Sequence, residues 1–262
     1  MTADLVIACD GIHSNIRNQF VQDKPVYAGQ IAYRAVIPIS KLGEWPFPTY
    51  SVAWCAKHKH MLVFPINNNK DLNVVGFVTV KEEDVRDVEE SWTSICDRSD
   101  VEKDFAGFDK VVQDIISLMP DQPSKWRLND REPLDTWHYF AGKVMMLGDA
   151  AHAMLPHQGA GLGQATEDGW VLGRALGEYM AGSGPERLGS LEGCAARYQA
   201  VRKPRAQKVQ RTSRVAGDTY EMQTAEMVDK SYDECVPIMA ETTRTRMKFI
   251  WEEVRFPERR DI

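Results

Sequence analysis

The stretch GKVMMLGDAAHAMLPHQGAGLGQATEDGWVLGRAL, Gly142 to Leu176, decides how this chain is read. It opens with an apolar run, Val144 to Leu147, of the kind expected of a strand buried on both faces. The run stops at Gly148-Asp149, and small residues, His152, Pro156 and His157 follow. Next comes a loop carrying Gly159, Gly161 and Gly163. Beyond it Val171, Leu172, Ala175, Leu176 and Tyr179 recur at helical spacing, with Gly182 and Gly184 placed to end the helix.

This order puts two binding chemistries close together. Ligands of open α/β sheets sit beyond the carboxyl ends of strands, which is where Asp149 falls. A carboxylate only accepts hydrogen bonds, so it suits sugar-like hydroxyls and repels phosphate. Asp149 also reads as a plain helix cap. The glycine loop feeds a helix N-terminus, where backbone N–H groups and the macrodipole favour negative charge. Tight turns produce similar glycine runs. One extended ligand with a polyol arm and an electron-accepting ring would use both features.

CDGIHSNIR, Cys9 to Arg17, repeats the grammar: an apolar strand, an Asp-Gly turn and a short helix with Ser14 as its cap. Between the two motifs the chain is strand-like. GQIAYRAVIPI, TYSVAWCA, KHMLVFPI and LNVVGFVTV are β-branched and aromatic, broken at Pro46-Phe47-Pro48 and Asn67-Asn68-Asn69. They predict an antiparallel or mixed sheet. Residues 81–104 read as loop with some helix, DKVVQDIISLM as a helix stopped by Pro120, and KWRLNDREPL as a further strand. After residue 182 the sequence is helical in propensity, with a kink or break expected at Pro204. The basic run Arg197 to Arg214 reads as a solvated helix face.

The bulk numbers exclude several classes. With 262 residues, a formal charge of −6, 43% hydrophobic and 27% charged residues, the composition is that of a globular protein. Mild acidity gives no nucleic-acid footprint. No apolar run approaches the ~20 residues of a membrane helix, and the N-terminus lacks the pattern of a signal peptide. The cysteines, Cys9, Cys55, Cys96, Cys194 and Cys235, are odd in number and widely spaced, which predicts reduced thiols, a cytoplasmic location and no metal site.

CDGIHSNIR and GDAAHAMLPHQGAGLGQATEDG, in this order, closely resemble the flavin-dependent aromatic hydroxylases of the p-hydroxybenzoate hydroxylase fold. MLGDAAHAMLPHQGAGLGQATED is most similar to the salicylate hydroxylase branch. The resemblance covers nearly the whole chain. It implies an α/β fold with α+β character: an FAD-binding part from residues 1–25 and 140–182, a sheet-rich substrate region at 26–139 and a helical region at 183–262. It implies that Gly148 and Asp149 hold the ribityl chain of FAD. Pro156 and the loop Gly159, Ala160, Gly161, Leu162 and Gly163 would lie against the isoalloxazine ring. Asp10, Gly11 and Arg17 match the family's DG motif, near FAD and linked to NAD(P)H use.

The implied reaction is hydroxylation of an electron-rich aromatic ring with O2 and NAD(P)H. A phenol reacts better as phenolate, and His157 is the expected general base; His152 is expected to be structural. Arg34 in IAYRAVIPI is the expected partner of a substrate carboxylate, with Tyr33 on the opposite face, although Arg34 reads equally as a surface strand residue. The family's opening βαβ unit with G-x-G-x-x-G is not found in this sequence. Three readings follow: a portion of a longer protein, a partner of a separate N-terminal segment, or a non-catalytic module for protein binding or homo-oligomerisation.

Overall fold

The computed structural model describes residues 2–43, 45, 47, 49, 51–88, 90–91, 93–181 and 189–251. The strands are β1 (Val6–Ala8), β2 (Val26–Pro38), β3 (Val52–Ala56), β4 (Lys59–Ile66), β5 (Asp71–Thr79), β6 (Ser124–Asp130), β7 (His138–Tyr139) and β8 (Val144–Met146). The helices are α1 (Arg98–Asp104), α2 (Lys110–Ser117), α3 (Asp149–His152), α4 (Gly161–Met180), α5 (Leu191–Tyr220), α6 (Tyr232–Arg246) and α7 (Lys248–Trp251). The fold is mixed α/β, as expected. Gly182 and Gly184, expected to end α4, lie outside the described residues, as do Pro46 and Pro48.

Contacts group the chain into two compact units: Met1–Val26, Asn129–Gly217 and Ala240–Ile262, and Tyr27–Leu128 with Asp218–Met239. The C-terminal helical region is therefore shared between the units and does not stand apart as a third region.

The first unit is built on a small sheet of order β1-β8-β7. β1 and β8 run parallel, Ile7 opposite Met145, and β7 is antiparallel to β8. Met145 and Met146 are buried, as the continuous apolar run requires, and pack with Val171, Leu172 and Ala175 of α4 and with Cys194, Ala195 and Tyr198 of α5. Those α4 residues are the ones with helical spacing in the sequence. Around Ser14 the expected helix shrinks to one 3-10 turn, Arg17–Gln19, with Ser14 Oγ accepting the Arg17 N–H at 2.9 Å. α5 runs through Pro204 without ending there.

The second unit is a five-stranded sheet, β3-β4-β5-β2-β6. β2 pairs antiparallel with β5, and β4 with both β3 and β5. Asn67, Asn68 and Asn69 turn the chain from β4 to β5 at φ of 49°, 53° and 62°, a conformation that asparagine tolerates better than most residues. One face of the sheet, with Ile31, Tyr33, Met61 and Val74, packs on Val101 and Phe105 of α1 and Ile115 and Ile116 of α2. The Phe105 ring sits over Gly76, where a Cβ would come within 2.8 Å of it. Asp109 caps α2 by accepting the Val111 N–H.

Candidate cofactor site

The first unit holds a cleft of about 550 Å³ where β1 and β8 end. Gly11, Gly148, Asp149, Pro156, Gly159, Ala160, Gly161 and Leu162 are on its wall, joined by Cys9 and Ala165. Both sequence motifs thus meet in one place, 137 residues apart at Gly11 and Gly148, because the parallel pairing of β1 with β8 brings the two strand ends together.

Each turn has a local cause. Gly148 adopts φ 61°, and Gly11 φ 81°, a region that side chains with a Cβ rarely enter. Gly148 ends β8 and turns the chain so that Asp149 begins α3. Asp149 is open to solvent through the cleft yet surrounded by protein atoms, and this desolvation raises its carboxyl above the usual range while His152 acts the other way. α4 begins at Gly161 without a side-chain cap. Its first amides therefore have no partner carbonyl within the helix and can serve negative charge.

The residues present fit a flavin. A Cβ added at Gly11, Gly159 or Gly161 would meet no atom of the chain, so no packing against the protein calls for glycine at these wall positions. Gly161 also has no unusual φ to explain it. Leu162 exposes 83% of its surface on the same wall, an apolar side chain that a planar ring would cover. Asp149 offers acceptors for a polyol, and the start of α4 offers donors for a ring that gains negative charge.

Several expected site residues lie elsewhere. Arg17 is fully buried. Its guanidinium donates to Asp23 and to the carbonyls of Ala150 and Glu132, both at 3.1 Å. It ties the Asp-Gly turn to the Gly148 turn from behind and is not on the cleft wall. Asp10 accepts the Ser14 hydroxyl at 2.5 Å and the Ile16 N–H at 3.3 Å. Slight burial pushes its carboxyl up, but these hydrogen bonds outweigh it and hold the carboxyl below the usual value. Gly163 lies one residue beyond the wall. His157 is in the 3-10 turn Pro156–Gln158 and is 8% exposed, with its neighbour Pro156 on the wall.

The basic run is a solvated face only in part: Lys208 and Arg211 are exposed, whereas the opposite side of the same helix is buried. Arg202 is 2% exposed, and Gln210 and Ser213 are buried. Tyr198 donates its hydroxyl to the Met146 carbonyl at 2.9 Å, Gln210 donates to Ala153 O at 2.8 Å, and Ser213 donates to Leu155 O at 2.6 Å. One helix thus holds the carbonyls of the cleft loop from Met146 to Leu155. Periodicity alone could not reveal this, since the polar side chains serve distant backbone groups.

In the second unit Arg34 is on the sheet face opposite α1 and α2 and donates Nε to Asn73 Oδ1 at 2.9 Å. Tyr33 is on the helix-covered face and donates to Asp104 at 2.7 Å, so the two alternate as expected. The unit also buries His60 against Glu221, with Nδ1 3.0 Å from Oε1, and Thr79 donates to the same carboxylate. No pattern in the sequence points to this pair, because its members lie on a strand and beyond a distant helix.

The chain belongs to the FAD binding domain family, whose model matches residues 1–213. It is 36% identical over 224 residues to 6-methylsalicylate 1-monooxygenase of Aspergillus terreus, covering 82% of this chain and 47% of that protein. It is 31% identical to a salicylate hydroxylase of Pseudomonas putida, covering 95% of this chain and 58% of that one. A solved salicylate hydroxylase substrate complex superposes with a TM-score of 0.79 at 29% identity, over 96% of this chain and 62% of that one. The chain spans about half the length of the curated relatives it matches. Among the described residues no helix is long and apolar enough to cross a membrane.

Proposed function

We propose that this chain carries the ring-binding part of an FAD-dependent, NAD(P)H-using monooxygenase that hydroxylates a phenolic or aromatic acid such as salicylate, in the cytoplasm. The observation that carries this reading is the convergence of Gly11, Asp149 and the Gly159–Leu162 loop on one cleft. FAD, when bound, supplies the redox chemistry that activates O2. The protein positions the ring and excludes water.

Asp149 would accept hydrogen bonds from ribityl hydroxyls. The start of α4, which no side chain caps, would offer its amides to negative charge on the bound ring without reorganising. Pro156 and Leu162, both on the cleft wall, would offer apolar contacts to the ring. His157 is the proposed base for the substrate phenol, supported by its place in the turn between Pro156 and Gly159. Within the second unit Arg34, whose Nε donates to Asn73 Oδ1, is proposed as a partner for a carboxylate.

The experiment is to purify the chain, titrate it with FAD, and follow NADH and NADPH oxidation with salicylate. Flavin uptake and salicylate-stimulated oxidation support the reading. Absence of flavin uptake contradicts it and favours a non-catalytic binding module.

A further inference from the structure

We propose that Asp168, which never reaches the cleft, is a positioning residue that sets the Gly148–Asp149 turn, because both ends of the bracket carrying Asp149 converge on its Oδ2 atom. This rests on the flavin reading for its consequence, but not for its geometry.

Asp168 is on α4, fully buried. Its Oδ2 accepts the Gly148 N–H at 3.0 Å and lies 2.6 Å from His152 Nε2. Gly148 is the residue before α3 and His152 is its last residue. One oxygen therefore pins the start and the end of the segment on which Asp149 stands. His152 directs its Nε2 proton at this oxygen, and Nδ1 has no hydrogen-bond partner among the described residues.

The other oxygen is fixed too. Oδ1 accepts Arg202 Nε at 2.7 Å. The Arg202 fork is then filled by Glu167 and by the Gln164 carbonyl and side-chain oxygen, at 3.1 and 2.8 Å. The carboxylate cannot rotate without breaking bonds to α5, so α5 fixes α4 and α4 fixes the turn. A buried ion pair adds little net stability over apolar packing. What a carboxylate adds here is a charge-assisted acceptor for a backbone N–H that turns out of the sheet at positive φ, where no strand carbonyl is in line.

The test uses the full chain with Asp168→Asn, Arg202→Gln and, as a stability control, Val171→Ala, which trims the same helix in the apolar core. Two readouts are taken on each: hydrogen exchange of the 147–152 segment without ligand, and FAD affinity by flavin fluorescence. A downfield imidazole N–H resonance of His152 reports the bracket directly. Asp168→Asn is expected to speed exchange in that segment, shift the His152 resonance and weaken FAD by about tenfold, the size of one charge-assisted hydrogen bond. Val171→Ala is expected to lower the melting temperature without these local changes. Arg202→Gln keeps the question decidable if Asp168→Asn fails to fold, and should loosen the same segment.

Exchange in Asp168→Asn no faster than in the control overturns the proposal. Faster exchange with unchanged FAD affinity also overturns it. If the unaltered chain takes up no FAD, the flavin reading fails, and the exchange and resonance data still decide the bracket.

Discussion

Arg17 donates Nη1 to the carbonyl of Ala150 at 3.1 Å, joining residues 133 positions apart. This bond locks the Asp-Gly turn after β1 to the short helix that follows Gly148. The cleft exists because two turns at neighbouring strand ends are held at fixed separation, and Arg17 is one of the ties. Its Asp23 partner is shared with Arg131, which donates to the same carboxylate at 2.7 Å.

Arg17→Ala is therefore expected to destabilise the fold by about 3 kcal/mol, the cost of leaving partners of a buried charge unpaired. Chemical denaturation measures this. A change under about 0.5 kcal/mol, typical of surface sites, would show that the guanidinium carries no structural role.

Gly161→Ala is expected to separate stability from binding. The position has ordinary backbone angles and open space around it, so alanine should leave the melting temperature unchanged or raise stability by up to about 1 kcal/mol. Added on the cleft wall, the methyl should weaken FAD. Unaltered FAD affinity would remove the loop from the flavin site.

Asp149 and Asp168 should show opposite pH dependence. Asp168 is pushed up by burial, but the hydrogen bonds and charges of His152 and Arg202 outweigh this and its carboxyl is lowered overall. Its contribution is present above the unfolded carboxylate pKa of about 4 and is lost as pH falls through the lower folded value. Asp149 is raised by burial. Its ionisation weakens the folded state, beginning above about pH 4 and complete above the folded pKa. Asp149→Asn should thus be as stable as the parent chain in acid and equal or more stable at neutral pH. Melting curves at several pH values test both signs.

His157→Ala is expected to lower the salicylate hydroxylation rate more than FAD affinity. Equal loss of both would assign His157 a structural role in the loop.

Much of this site was legible before the fold was known. The run Val144–Leu147, the turn at Gly148 and the spacing of Val171, Leu172 and Ala175 each report local physics, and all three appear as β8, the cleft turn and α4. The strands of the second unit were legible for the same reason. Arg17 was not. Its motif context pointed to a cofactor, whereas its bonds go to Asp23, Ala150 and Glu132, which no sequence period encodes. The helix of the basic run has the expected solvated side, with Lys208 and Arg211 exposed, but its buried side with Tyr198, Arg202, Gln210 and Ser213 was not legible, because polar side chains that serve backbone carbonyls look like surface residues in composition.

The most direct measurement is a competition titration of the purified chain with FAD, riboflavin and ADP. A cleft that grips the ring and polyol arm predicts that FAD binds, that riboflavin displaces it, and that Asp149→Ala and Gly161→Ala weaken both. Failure of both flavins to bind, or displacement of FAD by ADP but not by riboflavin, would contradict the account.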